Sequence, residues 1–164
     1  EGATYASGIV ARGDRRSLTE LRGARVAFTS PDSLSGYLAP ATELRRAGVG
    51  TLDLGERIFA GDHARALALL SRGEVDAAAT YDALHASFAR THPDTHVLAR
   101  VEGLPNDLVA AHPTLDATTK RALASALAEL PPDVTTRLAE LGIVAFEPAR
   151  VDALTTLDAW TEAW

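Results

Sequence analysis

"ARVAFTSPDSLSGYLAPATELRRAG", residues 24–48, decides the fold. Ala24 to Thr29 alternate and branch at Cβ like a buried strand. Beyond Ser35, Leu38, Ala41, Leu44 and Ala47 recur at helical spacing, and Gly48 is a C-terminal stop. Pro40 lies close enough to the first turn to be tolerated there. Between strand and helix sits a Pro-Asp turn followed by Ser33, Leu34, Ser35 and Gly36. Capping the helix needs only one hydroxyl, so the second raises the question of a ligand.

Working outward, the same alternation recurs. Ser7 to Arg12 reads as a strand, and "SLTELRG" as a short polar turn or helix closed by Gly23. A weak strand-like stretch spans Thr51 to Phe59. From Asp62, "HARALALLSRG" is helical, with apolar residues at 64, 67 and 68 and Gly73 as its cap. Val75 to Thr80 is a further buried strand, and "YDALHASFARTHP" a helix with Leu84 and Phe88 inward, ended by Pro93. "HVLARVE" and, after the Pro105 turn, "DLVAAHP" read as strands. Helices are expected over Asp116–Leu130, Pro131–Leu141 and, after a short "IVAF" segment, Val151–Trp164. Strands alternating with helices imply an α/β fold with βαβ crossovers, a largely parallel sheet and helices on both faces. Ligands of such sheets sit outside the carboxyl ends of the strands, at helix N-termini. Residues 29–36 and 59–64 hold that kind of position.

Composition narrows the function. The 164 residues are 46% hydrophobic and 23% charged, a globular mixture, and only 5% aromatic, so Ala, Leu and Val must build the core. The net charge is −6 and no basic run exists, which argues against nucleic acid or an anionic membrane as partner. The absence of cysteine excludes disulfides and thiolate metal sites and is compatible with an oxidising compartment. "EGATYASGIV" lacks the basic region and apolar core of a signal peptide, and no apolar run approaches the roughly 18 residues of a membrane span.

The remaining chemistry converges on an anion. A helix N-terminus leaves about four N–H groups unpaired and carries roughly half a positive charge. An oxyanion there gains hydrogen bonds without Lys or Arg. Ser33 and Ser35 add hydroxyl donors, and Gly36 permits close approach of the backbone; an ordinary N-cap after a Pro-Asp turn would show the same residues. "FAGDHARAL" (59–67) repeats the arrangement, with Gly61 and Asp62 as turn and cap and His63 in the first helical turn. His63 could donate to an oxyanion, and a surface histidine is the blander reading. His92 and His96 stand four apart, but Pro93 breaks the helix that would align them on a metal. Glu74 and Asp76 flank Val75 on one strand face as paired or merely solvated acids. Nucleophile-elbow, P-loop and dinucleotide glycine motifs are missing.

"LTELRGARVAFTSPDSLSGYLAPATELRRAGV" followed by "FAGDHARALALLSRGEVDAAATYD" resembles the phosphonate/phosphite/phosphate-binding components of ABC importers. Their pattern is a "dL-G-vAf-dp-S-T-S-G-yl-P" block, then a "G-S-H" helix start and a "G-vD-a-a" strand. The match in order and spacing runs from about Tyr5 to Pro113. The resemblance implies a type II periplasmic-binding-protein-like fold, in which two lobes close on an anionic solute, and a periplasmic or extracytoplasmic location. It implies that Ser33, Ser35 and Gly36 hold the ligand's oxygens, that His63 reaches the same group, and that Tyr5 lines the pocket. Leu34 stands where the family has threonine, and Asp62 where it has serine. Asp76, in the "G-vD-a-a" strand, is carried as a further ligand-binding candidate.

Relatives carry about another lobe before this point. Residues 1–105 are therefore expected to form the middle lobe, and 106–164 to return towards a first lobe that lies outside this sequence. Apolar surface left uncovered would favour pairing with a second copy of the chain. The leading expectation is a solute-binding domain, without enzymatic activity or cofactor, serving an ABC permease. A sensor domain on the same fold is the alternative, since fold does not fix function. A hydrolase using His63 with Asp62 or Asp76 is the more distant one.

Overall fold

The computed structural model describes residues 4–140 and 143–149. The expected helix over Val151–Trp164 lies outside the described residues. Two compact units divide the chain, one running to Asn106 and a second beginning at Asp107.

The first unit is a five-stranded sheet. β1 (Thr4–Arg12) and β2 (Arg25–Phe28) are joined through a 3-10 turn at Leu18–Leu21. A π-helical turn (Leu34–Leu38) then runs into α1 (Ala39–Arg46). β3 (Glu56–Phe59), α2 (His63–Ser71), β4 (Ala77–Tyr81), α3 (Asp82–Ala89) and β5 (Thr95–Pro105) follow. The spatial order is β3-β2-β4-β1-β5. β2 is parallel to β3 and β4, whereas β1 is antiparallel to both β4 and β5. Four strands therefore share one direction and β1 alone is reversed. The carboxyl ends of β2 to β5 and the amino end of β1 lie along a single edge. The reversal of β1 is invisible to hydrophobic pattern, because a strand buried on both faces reads alike in either direction.

Alternation sorts the core into two layers. Ile9, Ala11, Val26, Phe28, Ala77 and Ala79 face Ala41 and Leu44 of α1. Val10, Ala27 and Ala78 face Ala66, Leu67 and Leu70 of α2, with Leu84 and Phe88 of α3 packed alongside. Helices thus cover both faces, as the alternation of elements requires. On α2 the inward residues are Ala66, Leu67 and Leu70, and Ala64 is exposed, contrary to the expected phase.

"DLVAAHP" is not a strand. Residues 107–112 have no regular structure, and Leu108 and Val109 are more than half exposed. Four consecutive apolar residues without alternation carry no information on pairing, and the sheet takes its last strand from β5, which continues to Pro105.

The second unit carries α4 (Ala117–Ala128) and α5 (Pro132–Glu140). Asp116 caps α4 by accepting the Thr118 and Thr119 N–H groups at 2.8 and 3.0 Å. Leu127, Leu130, Leu138, Ile143 and Phe146 line a small apolar cavity. Among the described residues, no helix is long and apolar enough to cross a membrane.

Candidate functional site

The site forms where two strand-to-helix corners meet. At the first, β2 ends at Phe28, Thr29 follows it, and Ser33 caps the π turn. Its Oγ accepts the Gly36 N–H at 3.0 Å, and its carbonyl accepts both Tyr37 and Leu38 N–H at 3.0 and 2.9 Å. One of the two serines is thus committed to capping, which leaves the other for different work. The N–H groups of Leu34 and Ser35, in the opening turn, have no partner within a helix by its geometry.

Pro40 explains how this corner is held. A proline four residues on cannot donate to the Gly36 carbonyl. That carbonyl instead accepts the Thr29 N–H at 3.2 Å, tying the helix start to the end of β2. Gly36 is required for the same contact. A Cβ there would lie 2.7 Å from Thr29 Cβ and overlap the rest of the threonine side chain. The close approach that a glycine permits is to Thr29.

At the second corner, the Gly61 N–H donates to the Thr29 carbonyl at 2.8 Å, with Gly61 at a φ of 92°. Asp62 Oδ1 accepts the Arg65 N–H at 2.8 Å as the N-cap of α2, and its other oxygen lies 3.3 Å from the Arg65 guanidinium. Asp62 is therefore occupied as cap and ion pair. His63 turns to the sheet edge. Its Nε2 lies 3.5 Å from Ser35 Oγ, and its ring meets Tyr81 edge-on at 4.9 Å. Burial pushes its pKa below the usual histidine range, against a smaller opposite pull from the Ala79 backbone and the Asp62 charge. The shift favours the neutral ring.

The single sheet edge decides which candidates assemble. Ser33, Leu34, Ser35 and Gly36 follow β2, and His63 follows β3, so the edge gathers them. β1 runs the other way, so its first residues reach the same edge. Tyr5 and Leu34 both pack against Ala39, Val101 and Leu104. The side chains of Leu34 and Tyr5 thus join one apolar cluster. Asp76 is not brought to this edge. It immediately precedes β4 and so lies at the opposite edge, where its carboxylate accepts the Arg25 N–H at 2.8 Å and sits 3.5 Å from Arg15 Nη1. Burial pushes that carboxyl up, but the Arg25 N–H and the two arginine charges outweigh it and hold the group ionised. Glu74 pairs with Arg72, so no carboxylate pair with Asp76 forms. Asp76→Ala is expected to cost about 1–2 kcal/mol, read from the urea midpoint, and to leave ligand affinity unchanged.

Sequence reading missed Thr29 and Tyr81. Thr29 Oγ1 is buried without a partner beside Gly36, and Tyr81 forms a wall for His63. Thr29 ends an apolar strand and reads there as one more β-branched residue. Tyr81 reads as a helix residue, and only strand direction brings it to the edge. His92 stacks on Phe88 at 3.9 Å, while His96 contacts the Arg15 carbonyl, so the two are engaged separately.

A mixed sheet covered on both faces, with helix starts and neutral donors collected at one edge, is the architecture of a periplasmic binding protein lobe. The family model described as "ABC transporter, phosphonate, periplasmic substrate-binding protein" matches residues 1–154, and the chain belongs to that family. Among solved structures, a Xanthomonas citri protein bound to ATP is similar at a TM-score of 0.80 and 18% identity, over 98% of this chain and 66% of that one. The binding protein component of an ABC phosphonate transporter from Pseudomonas aeruginosa gives 0.78 and 18%, over 98% and 57%. PhnD1 from Prochlorococcus marinus in complex with methylphosphonate gives 0.52 and 24%, over 60% and 42%. The chain therefore spans under two thirds of the length of these structures. A search of curated proteins finds no match.

Proposed function

We propose that this chain holds a small oxyanion, of the phosphonate, phosphate or sulfonate class, at the corner formed by Leu34, Ser35 and His63, as part of the solute-binding component of an ABC importer. One observation carries the reading: Ser35 Oγ and His63 Nε2, delivered by separate βα units, stand 3.5 Å apart beside a helix start with free N–H groups. Ser33 and Gly36 shape that start, and Tyr5 and Leu34 supply an apolar flank for an organic substituent. Residues 1–105 would be the middle lobe, residues 106–164 the segment returning to a first lobe, and the permease the partner. The hydrolase alternative loses its acid, since Asp62 caps α2 and Asp76 lies at the far edge.

Ser35→Ala and His63→Ala are each expected to weaken methylphosphonate binding about 10- to 100-fold, the worth of one hydrogen bond to a charged group. Calorimetric titration checks this, with unfolding curves showing that neither variant is destabilised enough to explain the loss. The reading fails if methylphosphonate, phosphate and methanesulfonate all give no heat with the unsubstituted protein.

A further inference from the structure

The backbone bonds of Thr29 place the two corners, but they do not set how the His63 ring turns about its own bonds. A histidine at a site is ordinarily held by a hydrogen bond at the ring nitrogen that faces away from the ligand. Here Nδ1 is buried and, among the described residues, has no partner in hydrogen-bonding geometry. Asp62, the preceding residue, is taken up by the N–H and guanidinium of Arg65. What remains is the contact of Nε2 with Ser35 Oγ, which at 3.5 Å is the outer limit of a hydrogen bond. A ligand that takes the Ser35 hydroxyl would compete with it. Tyr81 supplies the missing restraint. Its ring meets that of His63 at 4.9 Å and 85°, the edge-to-face arrangement that aromatic rings prefer. Its backbone is fixed on two sides, since it pairs with Ser7 of β1 and is the last residue of β4 before α3.

Resting on the oxyanion-binding reading above, we infer that Tyr81 is a positioning residue, whose ring holds the His63 imidazole with Nε2 turned to the ligand corner. The restraint is aromatic packing and not hydrogen bonding by the phenol. Helix capping does not account for a tyrosine at this place. Tyr81 is the N-cap of α3, in extended backbone, where Ser, Thr, Asp or Asn would bond the first turn, and its side chain makes no such bond. Departures from local rules of this kind concentrate at functional sites. The corner therefore draws on three successive βα units: β2 leads to Ser35, β3 to His63, and β4 ends in Tyr81, which orients the histidine. Because Tyr81 acts through His63, its contribution to binding exists only while the imidazole is there.

Calorimetry with methylphosphonate tests this. Tyr81→Phe keeps the ring and is expected to bind within about 2-fold of the parent, whereas Tyr81→Leu should lose about 5-fold or more. In a His63→Ala background, Tyr81→Leu should cost no further affinity, because nothing is left to position. A second measurement needs no ligand. In the free chain, nuclear Overhauser contacts are expected from the His63 ring to Ser35 and to the Tyr81 ring. The contact to Ser35 should weaken in Tyr81→Leu and return in Tyr81→Phe. The inference is overturned if Tyr81→Leu keeps the Ser35 contact, or if the losses from His63→Ala and Tyr81→Leu add. It is equally overturned if Tyr81→Phe loses as much affinity as Tyr81→Leu, since the phenol would then be what matters. Each of these results leaves oxyanion binding itself standing. If methylphosphonate, phosphate and methanesulfonate all give no heat with the parent, the binding reading falls, while the ring contacts still decide whether Tyr81 orients His63.

Discussion

Gly36→Ala should cost this chain about 3 kcal/mol of stability, the upper end of what overpacking a rigid site costs. The added carbon would lie 2.7 Å from Thr29 Cβ, and both partners are pinned. The Thr29 N–H donates to the Gly36 carbonyl, and the Thr29 carbonyl accepts from Gly61. Moving the threonine away therefore means breaking the bonds that join β2 to both helix corners. Urea unfolding would show a lower midpoint at unchanged slope. Adding Thr29→Ala removes the hydroxyl and methyl and should restore part of the loss, with a coupling of about 1 kcal/mol or more. A single Gly36→Ala within 0.5 kcal/mol of the parent would show that the corner yields, and that glycine there is not needed for packing.

That prediction also separates what the sequence could say from what it could not. Ser33, Ser35 and Gly36 look equivalent as a run of small residues at a helix start. Their roles differ because Pro40 withholds one donor, which leaves the Gly36 carbonyl to the Thr29 N–H, while the Ser33 hydroxyl accepts the Gly36 N–H. Spacing along the chain reports that a corner exists, since a strand, a turn and a helix each leave a local pattern. It does not report the partner of each group, because Thr29 and Tyr81 reach the corner through strand pairing. Direction is lost in the same way. The apolar run of β1 is clear, but its reversal between β4 and β5 is not, and that reversal is what carries Tyr5 to the ligand edge. Asp76 is set apart from that corner for the complementary reason. An acid just before a strand and a histidine just after one look close in sequence, yet a strand's length and a change of edge separate them.

Phe28→Ala should be the most damaging core substitution near the site, costing about 3–5 kcal/mol. Phe28 is fully buried, edge-on to Tyr37 at 5.0 Å and tilted against Phe59 at 6.2 Å, while Tyr37 and Phe59 meet edge-on at 5.0 Å. Three rings, from the end of β2, the π turn and the end of β3, thus lock the elements that carry Ser35 and His63. In a chain with only 5% aromatic residues, little else can fill the volume. A loss of this size is a large share of the roughly 5–15 kcal/mol that holds a domain together. Because the rings neighbour Thr29, Gly36 and Ala60, loosening them should also let the two corners drift apart. Phe28→Ala is therefore expected to reduce both stability and methylphosphonate affinity. Phe28→Leu, which nearly keeps the volume, should cost less than about 1.5 kcal/mol and retain binding. Ser35→Ala should show the reverse pattern, with affinity lost and stability kept. If Phe28→Ala unfolds at a much lower urea midpoint but binds normally under native conditions, the rings support the sheet without positioning the corner. The alignment of Ser35 with His63 would then rest on the backbone bonds of Thr29 alone.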